Sequence, residues 1–155
     1  MKLFCGIDPG AVSGAWGIVD LHGKYWSCGD ITNLDGKINS VDFKAELSQA
    51  VDKQDVEFCL EAVHAFSGQG VSSTFKFGRA VGAIDAVCES FHAPVHYVTP
   101  QKWKKHFNLS QDKYASLELA KEIWPLAPIK LKKHHNMAEA LLLAEYLRKW
   151  QLDLL

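Results

Sequence analysis

Three acidic side chains stand where an ionised carboxylate is expensive to keep. Asp8 ends the apolar run LFCGID and is followed by Pro9 and Gly10, Glu61 ends VEFCLE, and Glu139 interrupts the apolar stretch MAEALLLAEY. A carboxylate taken out of water needs a partner, a metal or residual solvent to offset its desolvation. Singly, each has an ordinary structural explanation: Asp8 as an Asx-type turn with Pro9 and Gly10, Glu139 as an acid on an amphipathic helix. His134 and His135, taken alone, read as solvated residues near a helix end. The combination points to chemistry. His135 precedes Glu139 by four residues and Asn136 precedes it by three, so either shares a helical face with it. Asp8, Glu61, His135 and Glu139 together offer hard oxygen donors and one imidazole, which suit magnesium or manganese held against phosphate oxygens.

That chemistry requires particular elements. Residues 2 to 8 and 14 to 20 read as strands joined by the turn signals of DPGAVSG, and residues 24 to 29 supply the aromatic content of a third strand after the His22-Gly23 turn. Ile38, Val41, Ala45, Leu47 and Val51 recur near helical spacing, predicting a helix over 38–53. A strand over 56–62 delivers Glu61 at its carboxyl end, and if it neighbours the first strand, Asp8 and Glu61 meet. The Gly-rich SGQGVSST leads into a helix over 72–91, whose Gly78, Gly82, Ala83 and Ala86 permit close packing within the chain or between chains. A strand over 94–98, a helix start at Thr99-Pro100, a helix over 110–124 and a last helix from His134 or His135 to Trp150 complete the pattern.

The chain has 155 residues, 48% of them hydrophobic, enough for one well-cored domain spanning 1–155 and too few for two ordinary ones. Its formal charge of -1 excludes a strongly basic coat protein and a strongly acidic tail. The balance is uneven: residues 1 to 100 carry seven basic and twelve acidic side chains, whereas residues 101 to 135 carry eight and three. Lys102, Lys104 and Lys105 surround Trp103 and Phe107, and Lys130, Lys132 and Lys133 directly precede the histidine pair. Each lysine alone is an ordinary solvated residue, but clustered cations near phosphates release counterions and bind nucleic acid. Cys5, Cys28, Cys59 and Cys88 form no CxxC pair and read as reduced, buried thiols. No apolar run is long enough for a membrane span and no signal-peptide pattern opens the chain, so a cytoplasmic protein is expected.

GIDPG on the first strand, LEAVHAFSGQGVSSTFKFGRAVG, VTPQKWKKHF and HHNMAEALLLAEY occur in an order and spacing that resemble the RuvC-like Holliday junction resolvases, particularly the bacteriophage-encoded members. The resemblance covers almost the whole chain. It implies an α/β ribonuclease H-like fold, with a central five-stranded mixed sheet of three antiparallel then two parallel strands flanked by helices. It also implies Asp8, Glu61 and Glu139 as metal-binding carboxylates, with His135 or Asn136 as the fourth member and His135 preferred because Asn136 offers only a neutral carbonyl. The family usually has Asp where this chain has Glu139, and commonly Asp or His at Asn136. The implied activity is hydrolysis of DNA phosphodiesters in four-way junctions, with two magnesium or manganese ions per site, by a homodimer in a bacterial or phage-infected cell.

By the same resemblance, His64 occupies a position from which relatives present an aromatic residue to an opened junction base, and Phe66 lies two residues on. Arg79 is a candidate for phosphate or for an acid of its own helix, and Lys102, Lys104, Lys105, Lys132 and Lys133 complete the expected DNA contacts. Two other readings share these residues: a nuclease with broader flap and fork substrates, and a junction-binding relative that has lost cleavage. An actin-like kinase or ATPase also opens with a strand-turn-strand element bearing Asp and Gly, but its two-domain body exceeds this length.

Overall fold

A computed structural model of the chain describes residues 1–10, 14–65 and 67–155, the side chain of Lys113 excepted. The first three strands are β1 (Lys2–Asp8), β2 (Ala15–Asp20) and β3 (Tyr25–Asp30). A hairpin of two-residue strands follows, β4 (Asn33–Leu34) and β5 (Lys37–Ile38), and leads into α1 (Ser40–Val51). Next come β6 (Asp55–Glu61), α2 (Val71–Glu89), β7 (Val95–Val98), α3 (Pro100–His106), α4 (Lys113–Ile123) and α5 (His135–Gln151). The large sheet has the order β3-β2-β1-β6-β7, with β1, β2 and β3 antiparallel and β6 and β7 parallel to β1. This is the architecture expected from the sequence.

Local chemistry sets most boundaries. The Asn39 side chain accepts from the Asp42 amide at 3.2 Å and starts α1, so Ile38, expected in the helix, belongs to β5 instead. The β4–β5 hairpin turns at Asp35 and Gly36, with φ of 52° and 75°, the backbone that Asp-Gly favours. It was not anticipated, because two residues on each side are too few to show alternation. The expected helix over 110–124 begins later, at Lys113, where the Asp112 carboxylate accepts from the Tyr114 amide at 2.9 Å.

Alternation along β1 divides the core between the two faces of the sheet. Leu3, Cys5 and Ile7 pack with Phe43, Leu47, Phe58, Ile84 and Val87 beneath α1 and α2. Phe4 faces the other side, with Cys59, Val98, Trp103, Leu117 and the α5 residues Leu141 to Leu147. All four cysteines are free; Cys5, Cys59 and Cys88 are buried as expected, but Cys28 is half-buried beside the Tyr25 hydroxyl. Among the described residues no helix is long and apolar enough to cross a membrane.

α5 lies directly on the sheet because Gly6 and Gly17, paired across β1 and β2, leave it room. A Cβ at Gly6 would overlap the Ala140 carbonyl, and one at Gly17 would stand 2.7 Å from the Leu141 nitrogen. Gly78 and Gly82 are different: added Cβ atoms there meet nothing within 4 Å, so they make no close packing within the chain. Gly6→Ala should therefore destabilise the protein by about 1–3 kcal/mol or more. Gly78→Ala should be neutral or stabilising by up to about 1 kcal/mol, through helix propensity. Urea unfolding midpoints of the two variants check the contrast.

Candidate active site

Asp8 and Glu61 are the last residues of adjacent parallel strands, whose register aligns Ile7 with Leu60 one step earlier. Strand alternation turns both towards α5, as it turns Phe4 and Cys59. The close seat of α5 brings Glu139, in its second turn, onto the same end of the sheet. Asp8 and Glu139 are each 8% exposed. Burial pushes the Asp8 carboxyl well above the usual carboxylate range, and Glu139 and Glu61 push it further, with a hydrogen bond from Asp8 to Glu139 favouring a shared proton. Burial also raises Glu61, and Glu139 adds to the rise.

Two α3 residues and one α4 residue hold these carboxylates. The Trp103 indole N–H donates to Glu61 Oε2 at 2.8 Å, the Ser116 hydroxyl donates to Glu139 Oε1 at 3.2 Å, and Lys104 Nζ lies 3.3 Å from the same Glu139 oxygen. The indole N–H and the Lys104 charge both favour ionised Glu61, and Lys104 likewise opposes the rise at Asp8. Trp103 and Ser116 were not foreseen as site residues. Their signals were faint: Trp103 is the apolar member of a basic helix that starts at the same sheet end, and Ser116 is a lone hydroxyl on a wholly buried face.

The other expected residues divide. His135 opens α5 with its Nδ1 buried and, among the described residues, without a hydrogen-bond partner, and its ring meets Tyr114 edge-on at 6.4 Å between centroids. Asn136 is half-buried beside it and is also engaged. The lysines of α3 do not act as one patch. Lys104 turns into the carboxylates, Lys105 is exposed, and Lys102 stands 5.4 Å over the Trp150 ring near the far end of α5. Lys132 covers the Tyr114 ring at 5.4 Å and Lys133 is exposed. His64 is exposed beyond the end of β6, Arg79 lies on α2 away from the carboxylates, and Phe66 lies outside the described residues.

Hard, mutually repelling carboxylates suit a divalent cation, and the orphaned nitrogen of His135 adds a donor without a protein partner. Among the described residues no three His, Cys, Asp or Glu side chains already converge as ligands of one ion. Lys104 and Ser116 contact Glu139, and Trp103 holds Glu61. The donor set thus fits such ions in chemistry, and an ion held by Glu139 would have to displace the Lys104 ammonium.

No protein-family model matches the chain, and no curated protein matches it by sequence. Solved structures do. Thermus thermophilus RuvC in complex with Holliday junction substrate superposes with a TM-score of 0.74 at 15% identity, over 99% of this chain and 98% of that one. The fold is that of RuvC. The RuvC-like likeness extends to the fowlpox virus Holliday junction resolvase, with a TM-score of 0.60, 14% identity, and 96% and 99% of the two chains covered. The yeast mitochondrial Holliday junction resolvase gives 0.58 at 18% identity, over 99% of this chain and 79% of that one.

In this RuvC-like frame the buried acid cluster is a stability cost without a metal. Asp8 has a folded pKa above its ordinary value near 3.8, so the folded state holds the proton more tightly than the unfolded one. Stability from this group is greatest at low pH and falls as pH rises through the raised value. Asp8→Asn, measured in chelator, should match wild type below about pH 4 and exceed it at neutral pH, by roughly 2–4 °C of Tm per kcal/mol relieved. Thermal unfolding across that pH range checks it.

Proposed function

We propose that this chain is a metal-dependent endonuclease that resolves four-way DNA junctions by hydrolysing phosphodiesters. The observation that carries the reading is the meeting of Asp8, Glu61 and Glu139 at one sheet end, in a fold shared with RuvC bound to Holliday junction substrate. In this reading Asp8, Glu61 and Glu139, with His135 as the fourth member, would hold two magnesium or manganese ions, which would supply activation of the attacking water and neutralisation of the leaving oxygen. Trp103 fixes the Glu61 carboxylate by its single N–H, so that one oxygen keeps its place. Lys104, released from Glu139, turns its charge to the scissile phosphate. The work would be done in the cytoplasm of a bacterial or phage-infected cell.

A labelled four-way junction, tested beside linear duplex, flap and fork in magnesium, manganese or chelator, decides the reading. Paired symmetric nicks that need metal and Asp8 support it, with Asp8→Asn lowering the rate by about 10³-fold or more while junction binding persists. Equal cutting of flaps and forks would replace it by a broader debranching nuclease. Binding without nicking in either metal would replace it by a junction-binding protein.

Paired nicks require two copies of the site, and α2 offers a surface for a second copy. Val71, Phe75, Gly78 and Gly82 follow one another along a single face; Val71 is 87% and Phe75 67% exposed, and nothing lies near either glycine. An exposed apolar face with glycine hollows fits its own two-fold mate. Gly82→Arg has open space in the monomer, so it should keep the native far-UV circular dichroism while converting dimer to monomer in sedimentation velocity and abolishing the pairing of nicks.

A further inference from the structure

On the α1 and α2 face, the β4–β5 hairpin and the second and third turns of α2 enclose a cleft of about 130 Å3, lined by Gly36, Lys37, Ile38, Lys76, Arg79 and Ala83 among others. Three cations converge there. They are three of the seven basic residues in a hundred-residue segment with twelve acids. Among the described residues none of the three is in an ion pair, and Arg79 rests only on the Phe75 ring at 5.8 Å. Arg79 does not meet an acid of its own helix. All three are exposed, while Ala80 beneath is buried and the Gly36 Cα faces open space, leaving the cleft shallow and accessible.

Topology fixes its position relative to the carboxylates. Asp8 pairs with Ala15, and Ala15 with Asp30, so the end of β3 lies in one row with the end of β1. The hairpin begins three residues later, and α2 starts after the loop that leaves Glu61. At 1.5 Å per residue, Lys76 and Arg79 stand about 7.5 and 12 Å along α2 from Val71. The cleft therefore opens at the same end of the sheet as Asp8 and Glu61, round its edge on the opposite face. Its two lysine ammonium groups and a guanidinium offer donors for tetrahedral oxyanions.

We propose that Lys37, Lys76 and Arg79 bind the phosphodiester backbone of a DNA arm leaving the active site, giving the enzyme a second anchoring point beyond the scissile phosphate. The site rests on the nuclease reading above and extends it. Its contribution is affinity and orientation, since backbone contacts set register without reading bases. It takes no part in the hydrolysis itself.

The test compares the triple variant Lys37→Gln, Lys76→Gln, Arg79→Gln with a control, Lys24→Gln, Lys53→Gln, at the other end of the sheet. Binding to a four-way junction with long arms, and to linear duplex, is measured in chelator over a range of salt. The cleft variant should lose roughly tenfold in junction affinity at 0.15 M salt, with the slope of log K against log salt shallower by about 2–3. The control should bind as wild type. An unchanged slope in the cleft variant, or an equal loss in the control, overturns the anchoring site. If wild type prefers duplex to junction but the cleft variant still loses slope on duplex, the junction reading fails and the phosphate site stands. If wild type binds no DNA, both fail.

Discussion

The close contact of α5 with the sheet is the constraint on which the site depends. Gly6 and Gly17 sit opposite each other on β1 and β2, and the backbone around Ala140 and Leu141 occupies the space their side chains would have filled. Glu139 is the residue before that contact, so its carboxylate reaches the end of β1 only because the helix can come down this far. A methyl group at either glycine would lift the helix and, with it, one member of the acid cluster. Packing and chemistry are therefore decided by the same two positions.

What the helix brings together is electrostatically unfavourable until something positive joins it. Burial raises the proton affinity of Asp8 and of Glu61, and the neighbouring Glu139 carboxylate adds to both rises. The chain limits the cost with its own groups: the Trp103 N–H on Glu61, and the Ser116 hydroxyl and the Lys104 ammonium on Glu139. These contacts keep two carboxylates oriented, which lowers the reorganisation a divalent ion would demand. Lys104 holds a charge at Glu139 that a bound ion would displace.

Charge is distributed to match. A formal charge of -1 conceals a basic segment from residue 101 to 135 and, in the acidic first hundred residues, a tight group of three cations in one cleft. Polyanion binding by a nearly neutral protein relies on such local concentrations rather than on net charge. The lysines of α3 illustrate how sequence clustering misleads about spatial clustering. Lys102, Lys104 and Lys105 are near neighbours in the chain, yet the helix sends them to Trp150, to Glu139 and to solvent.

Much of the fold was legible along the chain. Apolar and aromatic runs between turn signals mark the five strands of the large sheet, period-3.6 patterns mark most helix positions, and their apolar surroundings mark Asp8, Glu61 and Glu139 as costly acids. Those signals are local, because propensity and periodicity depend on residues within a turn or two. The β4–β5 hairpin escaped because its strands are too short for a period, although its Asp35-Gly36 turn was present. Trp103, Ser116, the orphaned His135 nitrogen and the meeting of Lys37 with Lys76 and Arg79 depend on contacts between segments far apart in sequence. Such contacts are set by strand register and by how closely helices sit on the sheet, and no local pattern encodes either. The sequence alone determined the element types and which acids stand in apolar surroundings; only the tertiary structure decided which neighbours hold those acids and where the cations gather.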